Sequence, residues 1–133
     1  MGFLLHHFID ESAERDPDHE AFRFEGRGVS YAELVDRSNR LATLLVAQGV
    51  KPHDRVGIYM NKGLDLPVAI YGILKAGAAY VPIDPSAPLA RIQFILDDCG
   101  IRHLITNKAN GRKAARVAEQ AKALDCVIAV SYT

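Results

Sequence analysis

The sequence predicts an α/β fold: a partial doubly wound parallel sheet with flanking helices, plus a small N-terminal hairpin. Strand and helix patterns alternate from Asp54 onward, an order that favours right-handed βαβ crossovers. The run Cys126–Val130 is apolar throughout, as expected of a strand that helices cover on both faces. Before Asp54, two short strand patterns flank the turn Gly26-Arg27-Gly28, which indicates an antiparallel hairpin.

The composition is that of one ordinary globular domain of 133 residues. Sixteen basic and sixteen acidic residues cancel, so no net charge attracts nucleic acid or an anionic membrane. No segment approaches the roughly 20 apolar residues of a membrane span, and the N-terminus lacks the basic start of a signal peptide. The two cysteines do not make a disulfide framework. These features predict a cytoplasmic protein without nucleic-acid or membrane partners.

The N-terminal elements are a helix and the hairpin. The helix is predicted over Phe3–Arg15, with Pro17 as its stop. Its apolar side carries Leu4, Leu5, Phe8 and Ile9. The first hairpin strand is predicted over Ala21–Glu25, where Phe22 and Phe24 alternate with charged residues as in a half-buried strand.

Ser30 begins the clearest predicted helix. Ser30 and Glu33 have the spacing of a capping box, in which each side chain satisfies a free amide of the other residue. Gly49 lies where a left-handed C-terminal cap is expected. A stripe of apolar or small residues with helical period runs between them: Tyr31, Leu34, Val35, Ser38, Leu41, Ala42 and Leu45.

The sheet strands are predicted at Asp54–Met60, Ala79–Ile83, Arg102–Thr106 and Cys126–Val130. A helix connects each consecutive pair. The first has Pro67 in its first turn, ends at Gly77, and has an apolar face of Ile70, Ile73 and Leu74. The second carries Leu89, Ile92, Leu96 and Cys99. The third is predicted over Lys108–Leu124, with Ala114, Val117, Ala118 and Ala121 in register.

Two polar segments are candidate binding sites. The loop Asn61-Lys62-Gly63 follows a strand and precedes a helix, a position where backbone amides can hold an anion. It has one glycine and no phosphate-binding fingerprint, so an ordinary βα loop is favoured. The segment Asn107–Lys113, with Arg116, is basic but lacks the aromatic platforms of a nucleic-acid site. A solvated helix face is favoured, with Arg116 pairing with Glu119.

No catalytic constellation and no metal site is predicted. The five histidines do not have metal-ligand spacing, so surface or interface roles are favoured for His6, His7, His19, His53 and His103. The acidic pairs Asp10-Glu11 and Asp97-Asp98 are interpreted as helix charges. Cys99 lies on an apolar helix face and Cys126 in a buried strand, which favours inert thiols.

Two motifs carry a resemblance to a known family. Val29-Ser-Tyr-Ala-Glu-Leu34 and Leu74-Lys-Ala-Gly-Ala-Ala-Tyr-Val-Pro-Ile-Asp84, with Ser38-Asn-Arg-Leu-Ala42 between them, resemble the first core motifs of the adenylate-forming (AMP-binding) ligase superfamily. Extended to Ile92, the second motif is most similar to amino-acid-activating adenylation domains of nonribosomal peptide synthetases. Acyl-CoA synthetases come next. The resemblance covers nearly the whole chain.

The resemblance implies a two-step reaction. A carboxylate attacks the α-phosphorus of ATP to give acyl-AMP and pyrophosphate, and a thiol then displaces AMP. The thiol belongs to coenzyme A or to a carrier protein's phosphopantetheine. In the family, the phosphate-binding loop, the carboxylates for magnesium and ribose, and the catalytic lysine all come after the two motifs found in this chain. ATP and magnesium are therefore expected for the parent enzyme, and no cofactor for the isolated chain.

The resemblance further implies that residues 1–133 are the N-terminal part of an AMP-binding domain, truncated before the phosphate-binding loop. No catalytic residue is assigned, because the motifs present are mainly structural: Gly77 permits a tight turn, and Pro82 and Pro85 stiffen the segment after that turn. Asp84 and Arg91 are expected to form a structural ion pair.

The sequence leaves two hypotheses about function. The first is an N-terminal segment of an AMP-forming ligase, inactive alone, whose partners are the remainder of the ligase and the thiol carrier. It predicts an uncovered apolar surface near Cys126–Val130, and hence a homodimer or poor solubility. The alternative is a self-contained, non-catalytic α/β module for binding or assembly.

Overall fold

A computed structural model of the protein describes residues 5–130. The helices are α1 (Leu5–Arg15), α2 (Tyr31–Ala47), α3 (Asp65–Lys75), α4 (Leu89–Asp98) and α5 (Gly111–Gln120). The strands are β1 (Glu20–Phe24), β2 (Arg27–Ser30), β3 (Arg55–Tyr59), β4 (Ala79–Ile83), β5 (His103–Asn107) and β6 (Cys126–Val130). Within the described range, no helix has both the length and the apolar character needed to cross a bilayer.

The predicted fold class is confirmed. Strands β1 and β2 form an antiparallel hairpin, and the other four strands form a parallel sheet in the order β4-β3-β5-β6. The chain leaves β3 in one direction to form β4, then crosses to the other side of β3 to form β5. This reversal is the defining feature of a doubly wound sheet. The predicted strand boundaries are correct for β4 and β6, and each predicted end of β3 and β5 lies within one residue of the observed end.

Two hydrophobic cores lie on opposite faces of the sheet. The first core packs α1, α2, α3 and the hairpin on one face, and includes Ile9, Val29, Leu34, Leu41, Leu45, Val56, Ile58, Val68, Ile73, Ile105 and Ile128. The second core packs α4 and α5 on the other, and includes Tyr59, Ile83, Ile92, Leu96, Ile101, Leu104, Ala114, Val117 and Ala121. Successive residues of β5, Leu104 and Ile105, enter different cores, because side chains alternate across a strand.

The α2 predictions are largely confirmed. The Ser30 hydroxyl accepts a hydrogen bond from the Glu33 backbone amide at 3.2 Å, which is one half of the predicted capping box. The buried residues of α2 belong to the predicted stripe: Leu34, Ser38, Leu41 and Leu45. Gly49 follows the helix with a φ of 96°, a left-handed conformation that a side chain would disfavour.

Helices α2 and α3 end in the same hydrogen-bonding motif. After α2, the Val50 amide donates to the Leu45 carbonyl at 3.0 Å, and after α3 the Ala78 amide donates to the Ile73 carbonyl at 3.2 Å. Gly77 has a φ of 82°, as the predicted tight turn requires. Both ends are Schellman motifs, in which the residue after the glycine also contacts the core. Val50 and Ala78 are accordingly buried.

The contact between α2 and α3 depends on Gly72. A Cβ atom at this position would lie 2.7 Å from Leu41 Cδ2 and 3.0 Å from Leu41 Cβ. Because the contact reaches the base of the Leu41 side chain, a change of rotamer cannot relieve it. Lys75 also joins the helices, since its nearly buried ammonium donates to Asp10 of α1 at 2.9 Å and to Asn39 of α2 at 2.7 Å.

We expect Gly72→Ala to lower the free energy of unfolding by up to about 2 kcal/mol. Overpacking costs about 1–3 kcal/mol, and the better helix propensity of alanine returns about 1 kcal/mol. Gly111→Ala is the matched control: Gly111 is helical, with a φ of −58°, and a Cβ there would meet nothing within 4 Å. It should be neutral or stabilising. Urea denaturation measures both, and equal stability of the two variants would contradict the close-packing account.

The predicted helix Lys108–Leu124 is too long. Residues Lys108–Asn110 form a 3-10 turn, because the Asn107 side chain accepts from the Asn110 amide, and α5 spans only Gly111–Gln120. At its other end, Ala121 is extended with a ψ of 122°. The next amide, of Lys122, donates to the Asp97 carboxylate at 3.1 Å rather than to the helix.

The prediction that helices cover both faces of strand β6 is wrong. It forms an edge of the sheet, and among its residues only Ile128 is buried; Cys126, Val127 and Val130 are half-buried and Ala129 is exposed. The apolar run correctly indicated a strand, but among residues 5–130 this strand has a neighbour on one side only. An uncovered apolar surface at Cys126–Val130, the other expectation for this segment, agrees with this exposure.

Three apolar faces differ from prediction. Phe8 is 55% exposed although Ile9 is buried, because adjacent helical residues point about 100° apart and only one side of α1 meets α2 and α3. The start of this helix at Phe3 and the side chains of Leu4 and Leu5 lie outside what the structure describes.

Phe22 is 37% exposed beside a register shift in the hairpin. The buried face of α3 is Val68, Ala69, Gly72 and Ile73; Ile70 and Leu74 are half-buried.

Candidate functional site

A cleft of about 560 Å³ opens at the carboxyl ends of β3 and β5. These strands are neighbours in the sheet, and the helices that follow them, α3 and α5, pack on opposite faces. The two connecting loops therefore separate and leave a crevice, which is where ligands bind in open α/β sheets. The hairpin borders the cleft through Phe24, Glu25 and Arg27.

Three asparagines form a fixed network on the β3–β5 side of this cleft. The Asn107 carboxamide oxygen accepts from the Asn110 backbone amide at 3.1 Å and from Asn110 Nδ2 at 2.9 Å. Asn110 Nδ2 also donates to Asn61 Oδ1 at 3.1 Å. Asn110 is 5% exposed and thus links the two loops from beneath. Nearby, the Thr106 hydroxyl donates to the Tyr59 carbonyl at 2.8 Å and ties the two strand ends together.

Charged side chains surround the network. Lys62 and Lys108 are exposed and line the cleft from the β3 and β5 loops, respectively. Asp65 lies at the start of α3, where burial raises the pKa of its carboxyl group and the positive charges of Arg37 and Arg27 partly oppose that rise. The cleft is thus lined by three basic groups (Arg27, Lys62, Lys108) and two acidic ones (Glu25, Asp65).

An apolar cleft of about 380 Å³ adjoins this site and shares Phe24, Lys62, Gly63 and Leu64 with it. It lies between the hairpin, α3 and β4, and its aromatic residues are Phe22, Phe24, Tyr71 and Tyr80. Burial is the largest cause of a raised pKa for the Tyr71 hydroxyl, followed by Tyr31 and Tyr80. This cleft offers apolar contact rather than reactive groups.

The structure brings together two segments that are far apart in the sequence and were predicted as separate candidate sites. The loop Asn61-Lys62-Gly63 and the start of Asn107–Lys113 line the same cleft. Sequence reasoning missed Asn110, whose buried amide joins them. The available signal was positional: both segments follow parallel strands, and neighbouring parallel strands place their carboxyl ends at the same edge of a sheet.

Two predicted ion pairs are wrong. Asp84 does not pair with Arg91 in the described chain; its carboxylate accepts from the Ser86 amide at 2.9 Å and the Ser86 hydroxyl at 2.8 Å. These two hydrogen bonds, in that order, lower the pKa of Asp84. Arg116 and Glu119 are both exposed and form no ion pair within residues 5–130, since such a surface contact gains little over solvation.

Surface or interface roles were favoured for the histidines, and a surface role is wrong for His103. This residue is 4% exposed, and its Nε2 atom lies 2.9 Å from the Gln48 carbonyl at the end of α2. Across the part of the chain that the structure describes, no three His, Cys, Asp or Glu residues are grouped to hold a metal ion. Cys99 and Cys126 are both free thiols of intermediate exposure.

Comparison with known proteins gives a consistent match. The family model described as AMP-binding enzyme matches residues 9–133. A linear gramicidin synthase subunit of Brevibacillus parabrevis is 47% identical over 94 residues, which cover 71% of this chain and 2% of that protein. Surfactin synthase subunit 1 of Bacillus subtilis (strain 168) is 43% identical over 101 residues, covering 76% of this chain and 3% of that protein. The chain thus spans a small fraction of these relatives.

Solved structures give the same result. The nonribosomal peptide synthetase FmoA3, in its α-methyl-L-serine-AMP bound form, matches with a TM-score of 0.82 and 32% identity, over 96% of this chain and 14% of that one. A putative long-chain-fatty-acid CoA ligase from Rhodopseudomonas palustris CGA009 matches with a TM-score of 0.85 and 23% identity, over 96% of this chain and 33% of that one. The second likeness concerns the fold alone.

Proposed function

Because the chain belongs to the AMP-binding enzyme family, we propose that it forms the N-terminal part of the AMP-binding domain of an ATP-dependent ligase. The parent enzyme activates an amino acid or another carboxylic acid as an acyl-adenylate, then transfers the acyl group to a thiol. The observation that carries this proposal is the family match over residues 9–133, together with 47% identity to a peptide synthetase subunit. Residues 1–133 precede the family's phosphate-binding loop, so the isolated chain is inactive.

ATP and magnesium belong to the parent enzyme in this proposal. A magnesium site needs oxygen ligands, mainly carboxylates, and residues 5–130 contain no group of acidic or histidine side chains arranged to hold a metal. The described residues therefore do not fit a magnesium ion by themselves. The partners are the remainder of the ligase and a phosphopantetheine carrier protein or coenzyme A, and the compartment is the cytoplasm.

The role of this chain in the parent enzyme is to supply a rigid support. Its two cores hold β3 and β5 in register, and their carboxyl ends face a common cleft. Catalytic groups from elsewhere in the enzyme need such a support, because small displacements of reacting groups are costly.

ATP–pyrophosphate exchange tests the proposal that the isolated chain is inactive. The purified chain is incubated with ATP, magnesium and each of the twenty common amino acids, then with short- and long-chain fatty acids. We expect exchange at the level of a no-protein blank for every acid. Acid-dependent exchange that is lost on heat denaturation would overturn the claim that the chain is inactive alone.

Exposure of β6 predicts self-association of the isolated chain. The strand has no charged residue and no proline, the usual protections of a sheet edge. Strand β4, at the other edge, carries Pro82. We expect a concentration-dependent homodimer by sedimentation equilibrium. The dissociation constant of this dimer should be at least about tenfold higher for Ala129→Lys, because a charge opposes edge pairing. Ala90→Lys, on an exposed position of α4, is the control. A wild-type chain that stays monomeric at high concentration would contradict the prediction.

The alternative is a self-contained, non-catalytic module for binding or assembly. Its support is that residues 5–130 form two hydrophobic cores and that no buried side-chain nitrogen or oxygen among these residues lacks a hydrogen-bond partner. Intact mass spectrometry of the endogenous protein separates the two proposals. A product much longer than 133 residues supports the ligase, and a mass of 14.6 kDa supports the module.

A further inference from the structure

We propose that the cleft at the carboxyl ends of β3 and β5 binds a small oxyanion, a phosphate or a carboxylate group, through Asn61, Asn107, Lys62 and Lys108. This site is separate from the phosphate-binding loop that the family resemblance places after this chain. The inference does not depend on the proposed ligase function, since it rests on donors within the described residues.

The orientation of the asparagine amides leaves two NH₂ groups available as donors. The Asn110 backbone amide can only donate, so the Asn107 group it meets at 3.1 Å must be the carboxamide oxygen. That oxygen also accepts from Asn110 Nδ2 at 2.9 Å, and the same Nδ2 donates to Asn61 Oδ1 at 3.1 Å. Both oxygens are therefore used within the network. The NH₂ groups of Asn61 and Asn107 have no protein acceptor within residues 5–130 and remain available as donors.

The asparagine network is held in place by buried contacts. Asn110 is only 5% exposed, and it holds the two loops together from below. The Thr106 hydroxyl fixes the ends of β3 and β5 through the Tyr59 carbonyl at 2.8 Å. The two carboxamides are thus positioned before any ligand arrives, which reduces the entropic cost of binding.

Charge selects the kind of ligand. Lys62 and Lys108 line the cleft from its two loops, and neither forms an ion pair in the described chain. Two acidic residues, Glu25 and Asp65, line the same cleft, against three basic residues, Arg27, Lys62 and Lys108. Basic groups that outnumber the acidic ones, together with the two amide donors, favour an anionic oxygen ligand over a cation or a neutral sugar.

The test is a two-dimensional ¹⁵N NMR titration of the full 133-residue chain. Sodium phosphate and sodium acetate are added in separate series, and sodium chloride at matched ionic strength is the reference. We expect saturable shifts of the Asn61 and Asn107 side-chain amides with phosphate, acetate or both. The series that saturates at lower concentration identifies phosphate or carboxylate as the preferred group. Shifts no larger than those with chloride in both series would overturn the proposal.

Variants separate this site from general surface charge. Asn61→Asp keeps the oxygen that Asn110 needs but replaces the donor with a negative charge, so saturable binding should be lost. Lys62→Gln and Lys108→Gln should each weaken binding about fivefold, the effect of one solvent-exposed charge. Lys122→Gln removes an equal charge from an exposed residue outside the cleft and should change binding less than about twofold. Equal effects of Lys122→Gln and Lys62→Gln, or full binding by Asn61→Asp, would contradict the assignment.

Discussion

Ile105→Ala is expected to lower the free energy of unfolding by about 2–5 kcal/mol, the range for deleting a large buried aliphatic side chain. Ile105 is fully buried in the first core and lies in register with Ile58 of β3 and Ile128 of β6. It is thus enclosed on both sides within the sheet, and α2 and α3 belong to the same core. Surrounding backbone that is fixed by two ladders cannot collapse to fill the cavity.

The size of this loss matters for a domain of this length. Total stability is typically about 5–15 kcal/mol, so the variant should show a large decrease in the urea midpoint with little change in slope. Phe94→Ala is the control: it removes a larger side chain, but Phe94 is 68% exposed and should change stability by less than about 0.5 kcal/mol. A loss for Phe94→Ala as large as that for Ile105→Ala would contradict the assignment of the cores.

Features determined by local sequence were predicted correctly. The Ser30 cap, the left-handed Gly49 and Gly77, and the limits of β4 each depend on a few neighbouring residues. Few residue types can take these positions, since a capping hydroxyl bonds to an amide in the next turn and a positive φ depends on the residue itself. The order of strands and helices likewise predicted the sheet class, because crossover handedness leaves few topologies.

Features determined by contacts between distant residues were not predicted from the sequence. An apolar run identified β6 as a strand, but only the position of β6 at the edge explains why Ala129 is exposed. Phe8 and Ile9 have similar hydrophobicity, and which of them is buried depends on where α2 and α3 lie. The burial of His103 likewise depends on the end of α2, which places the Gln48 carbonyl beside it.

The candidate site illustrates the same limit. Asn61 and Asn110 are separated by 49 positions, and each belongs to a loop that looks ordinary alone. Only the pairing of β3 with β5 brings the loops to one cleft. A glycine-rich fingerprint could have been recognised locally, whereas a network of three asparagines with ordinary spacing could not.

Transfer of this chain into a relative should preserve acid activation. In the graft, residues 5–130 replace the matching segment of the nonribosomal peptide synthetase FmoA3, which binds α-methyl-L-serine-AMP and matches 96% of this chain. We expect at least about a tenth of the parent's exchange rate, equivalent to a barrier increase of no more than about 1.4 kcal/mol. The reason is that the residues assigned to chemistry by the family pattern stay in the host. The graft carrying Ile105→Ala should be less stable but still exchange while folded.

Deletion of the matching segment from the host is the necessary control. It removes the counterparts of β3, β5 and both cores altogether, so exchange should fall at least about a hundredfold, as expected when reacting groups lose the elements that position them. This control ensures that activity of the graft reflects the transferred residues.

The measurement that tests the central claim most directly is ATP–pyrophosphate exchange by this graft with α-methyl-L-serine. Exchange well above the deletion control, with the isolated chain inactive in the same assay, is the result we predict for the N-terminal part of an acid-activating ligase. A folded, soluble graft whose exchange equals that of the deletion control would contradict the claim and favour the non-catalytic module.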